Sequence, residues 1–172
     1  MPFSISHQDS PLGSLRIVTD EQENLRALDF HDYESRLHTL LTRHYGAYEL
    51  KEASTPAKIR NALTHYFAGD LLAIEDLSIC TGGTPFQCAI WQALRSIPAS
   101  VTMSYGELAR QVGKPNASRA VGLANGANPI AIVVPCHRII GASGALTGYG
   151  GGLPRKRWLL DHEQKHAAIC TT

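Results

Sequence analysis

The first 79 residues contain no cysteine, and nowhere in the 172-residue chain do two cysteines form a Cys-x-x-Cys pair. The four that occur, Cys80, Cys88, Cys136 and Cys170, therefore supply neither a disulfide framework nor a zinc knuckle, and reduced thiols are expected. No apolar run approaches the ~20 residues that a membrane span requires. The opening MPFSISHQDSPLGS lacks the charged head and apolar body of a signal peptide. A cytoplasmic protein with no membrane partner is the expectation. Internal repeats and low-complexity tracts are absent as well. Acidic residues are scarce in one half only: residues 86–172 hold 3 Asp+Glu against 9 Lys+Arg, whereas residues 1–85 hold 12 against 7. The net charge of +1 thus hides a basic second half, which suits either a polyanion or an ordinary solvated surface.

Short β-runs at Leu15 to Val18 and Leu25 to Phe30, joined by a polar turn at Asp20 to Asn24, predict a hairpin. Leu37, Leu40, Leu41 and Tyr45 fall at helical spacing before Gly46. A second helix is expected with Thr55 as its cap and Pro56 in its first turn, with Ile59, Leu63, Tyr66 and Phe67 on one face and Gly69 at its end. The glycine pair in SICTGGT separates the acidic from the basic half, giving expected domains of residues 1–80 and 81–172. Thr84, Pro85 and Gln87 then read as a capping-box helix start with Phe86, Ile90, Leu94 and Ile97 behind it.

In MSYGELARQVGKPNASRAVGLANGANP, Ser104 and Glu107 form a second capping box, Gly113 permits a tight turn, and a helix starts at Asn116 or Ala117. Such a unit is either a core helical hairpin or a DNA-binding helix-turn-helix. Its second helix is nearly devoid of long side chains, being built from Ala117, Ser118, Ala120, Gly122, Ala124, Gly126 and Ala127. A helix so smooth cannot read bases in the major groove. It can lie close against a minor groove without sequence preference. Arg119 is its one long cation, suited to fill the gap left by an extruded base or simply to contact a phosphate.

The run IAIVVPCHRII, Ile130 to Ile140, places a thiol, an imidazole and a guanidinium inside the most apolar segment. One adjacent Cys-His pair cannot complete a four-ligand zinc site, so no metal and no cofactor are expected. Cys136 is either a buried inert cysteine or a nucleophile whose proton His137 removes. Neighbouring side chains diverge, which favours a bridging water over direct contact. Asp161 and Glu163, in WLLDHEQ, are candidates to orient the imidazole. Arg138 reads as one half of an ion pair with no partner assigned.

VVPCHRII resembles the active-site motif of the O6-alkylguanine-DNA alkyltransferases, the methylated-DNA–protein-cysteine methyltransferases. GGTPFQCAIWQALRSIP, SYGELA, SRAVGLANGANPI and TGYGGGLPRKRWLLDHE extend the resemblance over nearly all of residues 81–163, and SPLGSLRI with the chain length resembles the short constitutive bacterial members. The resemblance implies that Cys136 takes the alkyl group as a thioether, that His137 deprotonates it through water and that Glu163 orients His137. Tyr105 would donate to guanine N3, and the Gly150 backbone N–H would face O6. Backbone carbonyls of Cys136 and Ile139 would recognise the exocyclic amine, and Tyr149 would line the pocket. Arg119 would fill the vacated stack, with Asn128 and Pro129 forming the turn toward the reactive segment.

The fold expected on these grounds is α+β. A small N-terminal antiparallel sheet with helices precedes a mainly helical domain with a winged helix-turn-helix unit; the wing and a third strand are implied by the resemblance alone. The implied partner is duplex DNA carrying O6-alkylguanine, bound through the minor groove largely without sequence specificity by a monomer. A target inside a duplex has to be extruded before a buried thiol reaches it. Gly150 stands where many members carry Ser or Ala, and Ile139 where Val is common, which bears on the alkyl sizes accepted. Two competing readings are a DNA-binding regulator that senses modification at Cys136 and a silent relative that binds damage without repair.

Overall fold

The computed structural model describes the backbone of residues 1–170 and the side chains of residues 1–167. It divides into two compact units, residues 1–83 with 129–133, and residues 84–128 with 134 onward. Among the described residues no helix is long and apolar enough to cross a membrane. Cys170 lies outside the described side chains.

In the first unit, β1 (Pro2–Gln8), β2 (Leu15–Thr19) and β3 (Leu25–Phe30) form an antiparallel meander. A single-turn 3-10 segment leads into α1 (Glu34–Tyr45), followed by β4 (Glu49–Glu52) and α2 (Ala57–Ala68). β4 pairs with β1 in parallel, so the sheet order is β3-β2-β1-β4 and the antiparallel meander carries one parallel edge strand. The sequence pattern gave β2 and β3 as the hairpin, a third strand was implied by the resemblance alone, and a fourth was not expected. β4 offers one apolar residue in four, and its place is set by backbone pairing rather than by a hydrophobic pattern. Phe3, Ile5, Val18, Ala27, Leu37 and Leu41 form a core between sheet and α1. Ile17 and Val18 are neighbours on β2 and both fully buried, so this strand is covered on both faces, which is why it reads as a run and not as an alternation. Pro56, and not the expected Thr55, occupies the cap of α2 and makes no side-chain capping bond. Gly46, at φ 67°, ends α1 in a conformation that side chains disfavour.

The second unit contains α3 (Pro85–Arg95), α4 (Tyr105–Gln111), α5 (Ser118–Gly126) and α6 (Leu153–Cys170). Both expected capping boxes form, Thr84 with Gln87 and Ser104 with Glu107, and each fixes the entry of its helix. Gly113, at φ 76°, makes the turn between α4 and α5. The Trp91 indole N–H donates to the Ala124 carbonyl at 2.9 Å, tying α3 to α5. Ile90, Leu94, Leu108, Val121 and Leu159 fill the core. Beside the helices, β5 (Met103–Ser104) and β6 (Ile139–Ile140) make one short parallel pair, and a loop continues from β6 to α6.

Candidate active site

The segment Ile130 to Arg138 is buried but is not a strand, and only Ile139–Ile140 at its end pairs as β6. Leu28 on β3 donates to the Pro129 carbonyl and accepts from Ala131, at 2.9 and 3.0 Å. Two tight turns of opposite hand follow. Val133 N–H donates to Ala131 O at 2.8 Å around Ile132, whose φ is 72°, and Cys136 N–H donates to Val134 O at 2.8 Å around Pro135, whose φ is −82°. A β-branched residue at positive φ costs about 1–3 kcal/mol, and Ile132 holds it while fully buried. The chain then enters a 3-10 turn, Cys136–Arg138, which buries all three polar residues. Asn128, before this segment, donates from its amide to Val134 O at 2.8 Å.

Glu163 on α6 organises that turn. Its Oε2 lies 2.9 Å from His137 Nε2, while Arg138 donates from Nε to Oε1 and from Nη2 to Oε2, both at 2.9 Å. Arg138 Nη1 also donates to the Ile97 carbonyl at 2.6 Å, so the guanidinium is fixed on two sides. The ion-pair partner of Arg138 is therefore Glu163. Burial alone would raise the Glu163 carboxyl; His137 and the bidentate Arg138 more than offset it and hold the group well below the usual carboxylate range. Burial lowers His137 below its ordinary value, and Glu163 only partly restores it. A neutral imidazole facing a carboxylate has to carry its proton on Nε2, because a carboxylate only accepts. Nδ1 is then the basic nitrogen, and it is buried without a hydrogen-bond partner. Asp161, the other candidate, is exposed and is not part of this network.

Cys136 borders a cavity of about 240 Å³ shared with Tyr105, Asn125, Gly148, Tyr149 and Gly150. This lies below the ~300–1,000 Å³ of typical small-molecule sites and suits one compact planar group. Tyr105 begins α4, and its hydroxyl is 2.9 Å from the Thr147 hydroxyl. Lys156 on α6 is fully buried and spends its three N–H donors on the carbonyls of Ile139, Thr147 and Gly148, at 2.6, 2.9 and 3.3 Å. It thereby ties the middle of the loop that carries the cavity wall to β6. Burial lowers its ammonium from the usual lysine value, and Cys136 opposes that shift. Among the described residues no three His, Cys, Asp or Glu side chains are grouped to hold a metal ion.

Arg119 and Leu123 are one helical turn apart on the exposed side of α5, and Leu123 is 72% exposed. Arg119 forms no ion pair with a described residue.

The structure brings Cys136, Tyr105, Tyr149 and Gly150 to one cavity, places His137 next to Cys136 in the buried turn, and sets Glu163 of α6 against His137. Asn128 holds the preceding turn, the Ile139 carbonyl is taken by Lys156, and Arg119 projects from α5. Sequence reasoning missed Lys156, which PRKRW disguises as one charge in a solvated basic run. It also missed Thr147 and Asn125, whose residue types carry no signal without the cavity.

A buried thiol that borders a cavity, next to a histidine held by a fixed carboxylate and in a unit that also contains a helix-turn-helix, is the arrangement expected of a cysteine-dependent protein of the nucleic-acid-binding class. Residues 85–165 match the family described as 6-O-methylguanine DNA methyltransferase, DNA binding domain, and residues 6–79 match its ribonuclease-like domain. The methylated-DNA–protein-cysteine methyltransferase of Salmonella typhimurium is 55% identical over 156 residues, covering 90% of this chain and 91% of that protein. That of Mycolicibacterium paratuberculosis is 48% identical over 166 residues, covering 95% and 94%. The crystal structure of Mycobacterium tuberculosis OGT in complex with DNA superposes with a TM-score of 0.80 at 44% identity, over 95% of this chain and 94% of that one. The chain belongs to the 6-O-methylguanine DNA methyltransferase family.

Proposed function

We propose that this protein repairs DNA directly, by moving the alkyl group of O6-alkylguanine onto Cys136. The observation that carries the reading is the unpartnered Nδ1 of a neutral His137, held by Glu163 in the same buried turn as the cavity-lining thiol. Nδ1 takes the Cys136 proton through a water, and the thiolate attacks the alkyl carbon. The S–C bond forms as the C–O6 bond breaks, and the electron pair leaves with guanine. Tyr105 donates to N3 of the departing base, and the Gly150 N–H faces O6. The backbone carbonyls of Cys136 and Ile139 accept from the exocyclic amine, and Tyr149 walls the pocket.

A thioether offers no easy leaving group, so the reaction stops after one turnover. The cavity admits the base only once it leaves the stack, at a cost of a few kcal/mol. In this reading α5 lies in the minor groove, its small residues allow approach to any sequence, and Arg119 occupies the vacated position. Asn128 and Pro129 form the turn joining α5 to the reactive segment. Residues 81–172 carry the chemistry, and a monomer acts on duplex DNA in the cytoplasm without a metal or cofactor.

The test is incubation with duplex DNA containing O6-methylguanine, followed by peptide masses. One methyl group is expected on the Cys136 peptide, stoichiometric with repair, and none in Cys136→Ser. Methyl that leaves DNA catalytically, or never reaches Cys136, overturns the mechanism.

A further inference from the structure

Tyr105 lines the cavity beside Cys136, and its ring lies over α5, where a methyl group on Gly122 would meet Cδ1 at 3.6 Å. The ring thus rests on the helix while its hydroxyl meets the loop, and what remains to be set is the direction of its single O–H. Among the described residues that hydroxyl has one partner, Thr147, whose own hydroxyl lies 2.9 Å away and whose carbonyl lies 3.4 Å away. The carbonyl already accepts from the Lys156 ammonium at 2.9 Å, so the hydroxyl is the stronger contact. The same ammonium bond holds the Thr147 backbone in place.

A hydroxyl has one proton to give and two lone pairs that accept. The 2.9 Å contact can therefore be made with Tyr105 donating or with Thr147 donating. If Tyr105 donates to Thr147, its proton is spent and none is left for a base. If Thr147 donates, the Tyr105 proton is free for guanine N3, and the second hydroxyl polarises the first as charge builds on the departing base. Only this arrangement suits a tyrosine that gives its proton to the substrate.

We propose that Thr147 is a positioning residue for alkyl transfer: its hydroxyl donates to Tyr105 Oη and so aims the tyrosine proton at N3. The assignment rests on the alkyl-transfer reading above and deepens it. Thr147 keeps its own proton throughout, and only hydrogen bonds change hands. Lys156 contributes from behind by holding the Thr147 carbonyl, so one buried ammonium fixes the loop residue that in turn directs a cavity-lining phenol. In TGYGGG the same threonine reads as one more polar loop residue.

The test measures single-turnover methyl transfer, with protein in excess, from duplexes carrying O6-methylguanine or its 3-deaza analogue, in which C–H replaces N3. Wild-type protein should be slower on the analogue; equal rates would remove the N3 contact and the proposal with it. Thr147→Val, which exchanges the hydroxyl for a methyl, should slow transfer from O6-methylguanine about fivefold and leave the rate on the analogue within about twofold of wild type. Because both bases meet the same variant, a general loss of packing cancels in the comparison. Thr147→Ser keeps the hydroxyl and should recover most of the loss. A valine variant slowed equally on both bases, or on neither, overturns the assignment, and so does a serine variant as slow as valine. Thr147 is exposed, so the valine variant should fold; Thr147→Ala lacks the same hydroxyl and takes its place if melting shows otherwise. In a Tyr105→Phe background, removing the Thr147 hydroxyl should cost nothing further, and additive losses there also overturn the proposal. Failure of wild-type protein to methylate Cys136 from either base would instead sink the underlying alkyl-transfer reading.

Discussion

Two buried carboxylates, Asp20 in the first unit and Glu163 in the second, are satisfied in opposite ways. Asp20 accepts from the backbone of Gln22 and Asn24, from the Asn24 amide and from Arg26, all within 6 residues of chain. Glu163 draws on His137 and Arg138, 26 and 25 residues away. Asp20 closes a hairpin turn and has nothing further to do. Glu163 holds two side chains of a reactive turn, and one of them keeps a basic nitrogen unspent. Local satisfaction builds a fold, whereas distant satisfaction with one group left open builds a site.

The largest expected break in this contrast is Glu163→Gln. A buried guanidinium loses its counter-charge and His137 loses its acceptor, so stability should fall by about 3–5 kcal/mol. Transfer per folded molecule should drop at least about 100-fold. Denaturant melts and single-turnover kinetics measure the two effects. Asp20→Asn should cost about 1–3 kcal/mol and leave transfer by folded molecules unchanged. A loss of transfer there would erase the distinction.

The cations sharpen it next. Arg119→Ala should slow repair in duplex DNA about tenfold or more, with a smaller loss on free O6-benzylguanine and no change in melting. Arg26, which lies over the Phe3 and Tyr45 rings and pairs with Asp20, should do the reverse when replaced by alanine. It should lower stability by about 1–2 kcal/mol and spare transfer. Equal losses of Arg119→Ala on duplex and free base would remove the stacking role.

Acid separates the two sites by pH. His137 titrates below its ordinary 6.5 in the folded state, so between the two values the unfolded chain binds more protons. Its contribution is full above 6.5 and is lost as pH falls through the folded value. For Asp20, burial opposes ionisation, but the bonds from Asn24, Arg26 and Gln22 prevail and lower the group from 3.8, so its contribution fades only in stronger acid. His137→Asn should flatten the first phase of a stability-against-pH curve and leave the second. The smallest effect is expected from Leu123→Ala: a two- to threefold weaker DNA affinity at about unchanged stability, since the side chain is exposed.

Much of this organisation was legible in the chain. The hairpin, the helix stops at Gly46 and Gly69 and both capping boxes follow from local chemistry, where spacing and residue type decide. β4 was hidden because an edge strand gains its place from a neighbour's backbone, and the pattern of β1 alone did not reveal that it pairs on both sides. The alkyl-transfer class was legible from the motifs around Cys136, but the geometry was not. Arg138 and Glu163 meet only because a 3-10 turn faces α6, and IAIVVPCHRII reads as a strand until Ile132 and Pro135 are seen to turn it twice. Lys156 carries an ordinary side chain whose importance lies in the carbonyls it meets.

The buried Lys156 ammonium is held by neutral carbonyls, with no carboxylate among those bonds. Added salt therefore has little to screen there, while contacts between basic side chains and phosphates weaken steeply with ionic strength. Raising the salt should loosen the grip on DNA and leave the reactive loop in place, so the two halves of the task come apart under a change of buffer alone.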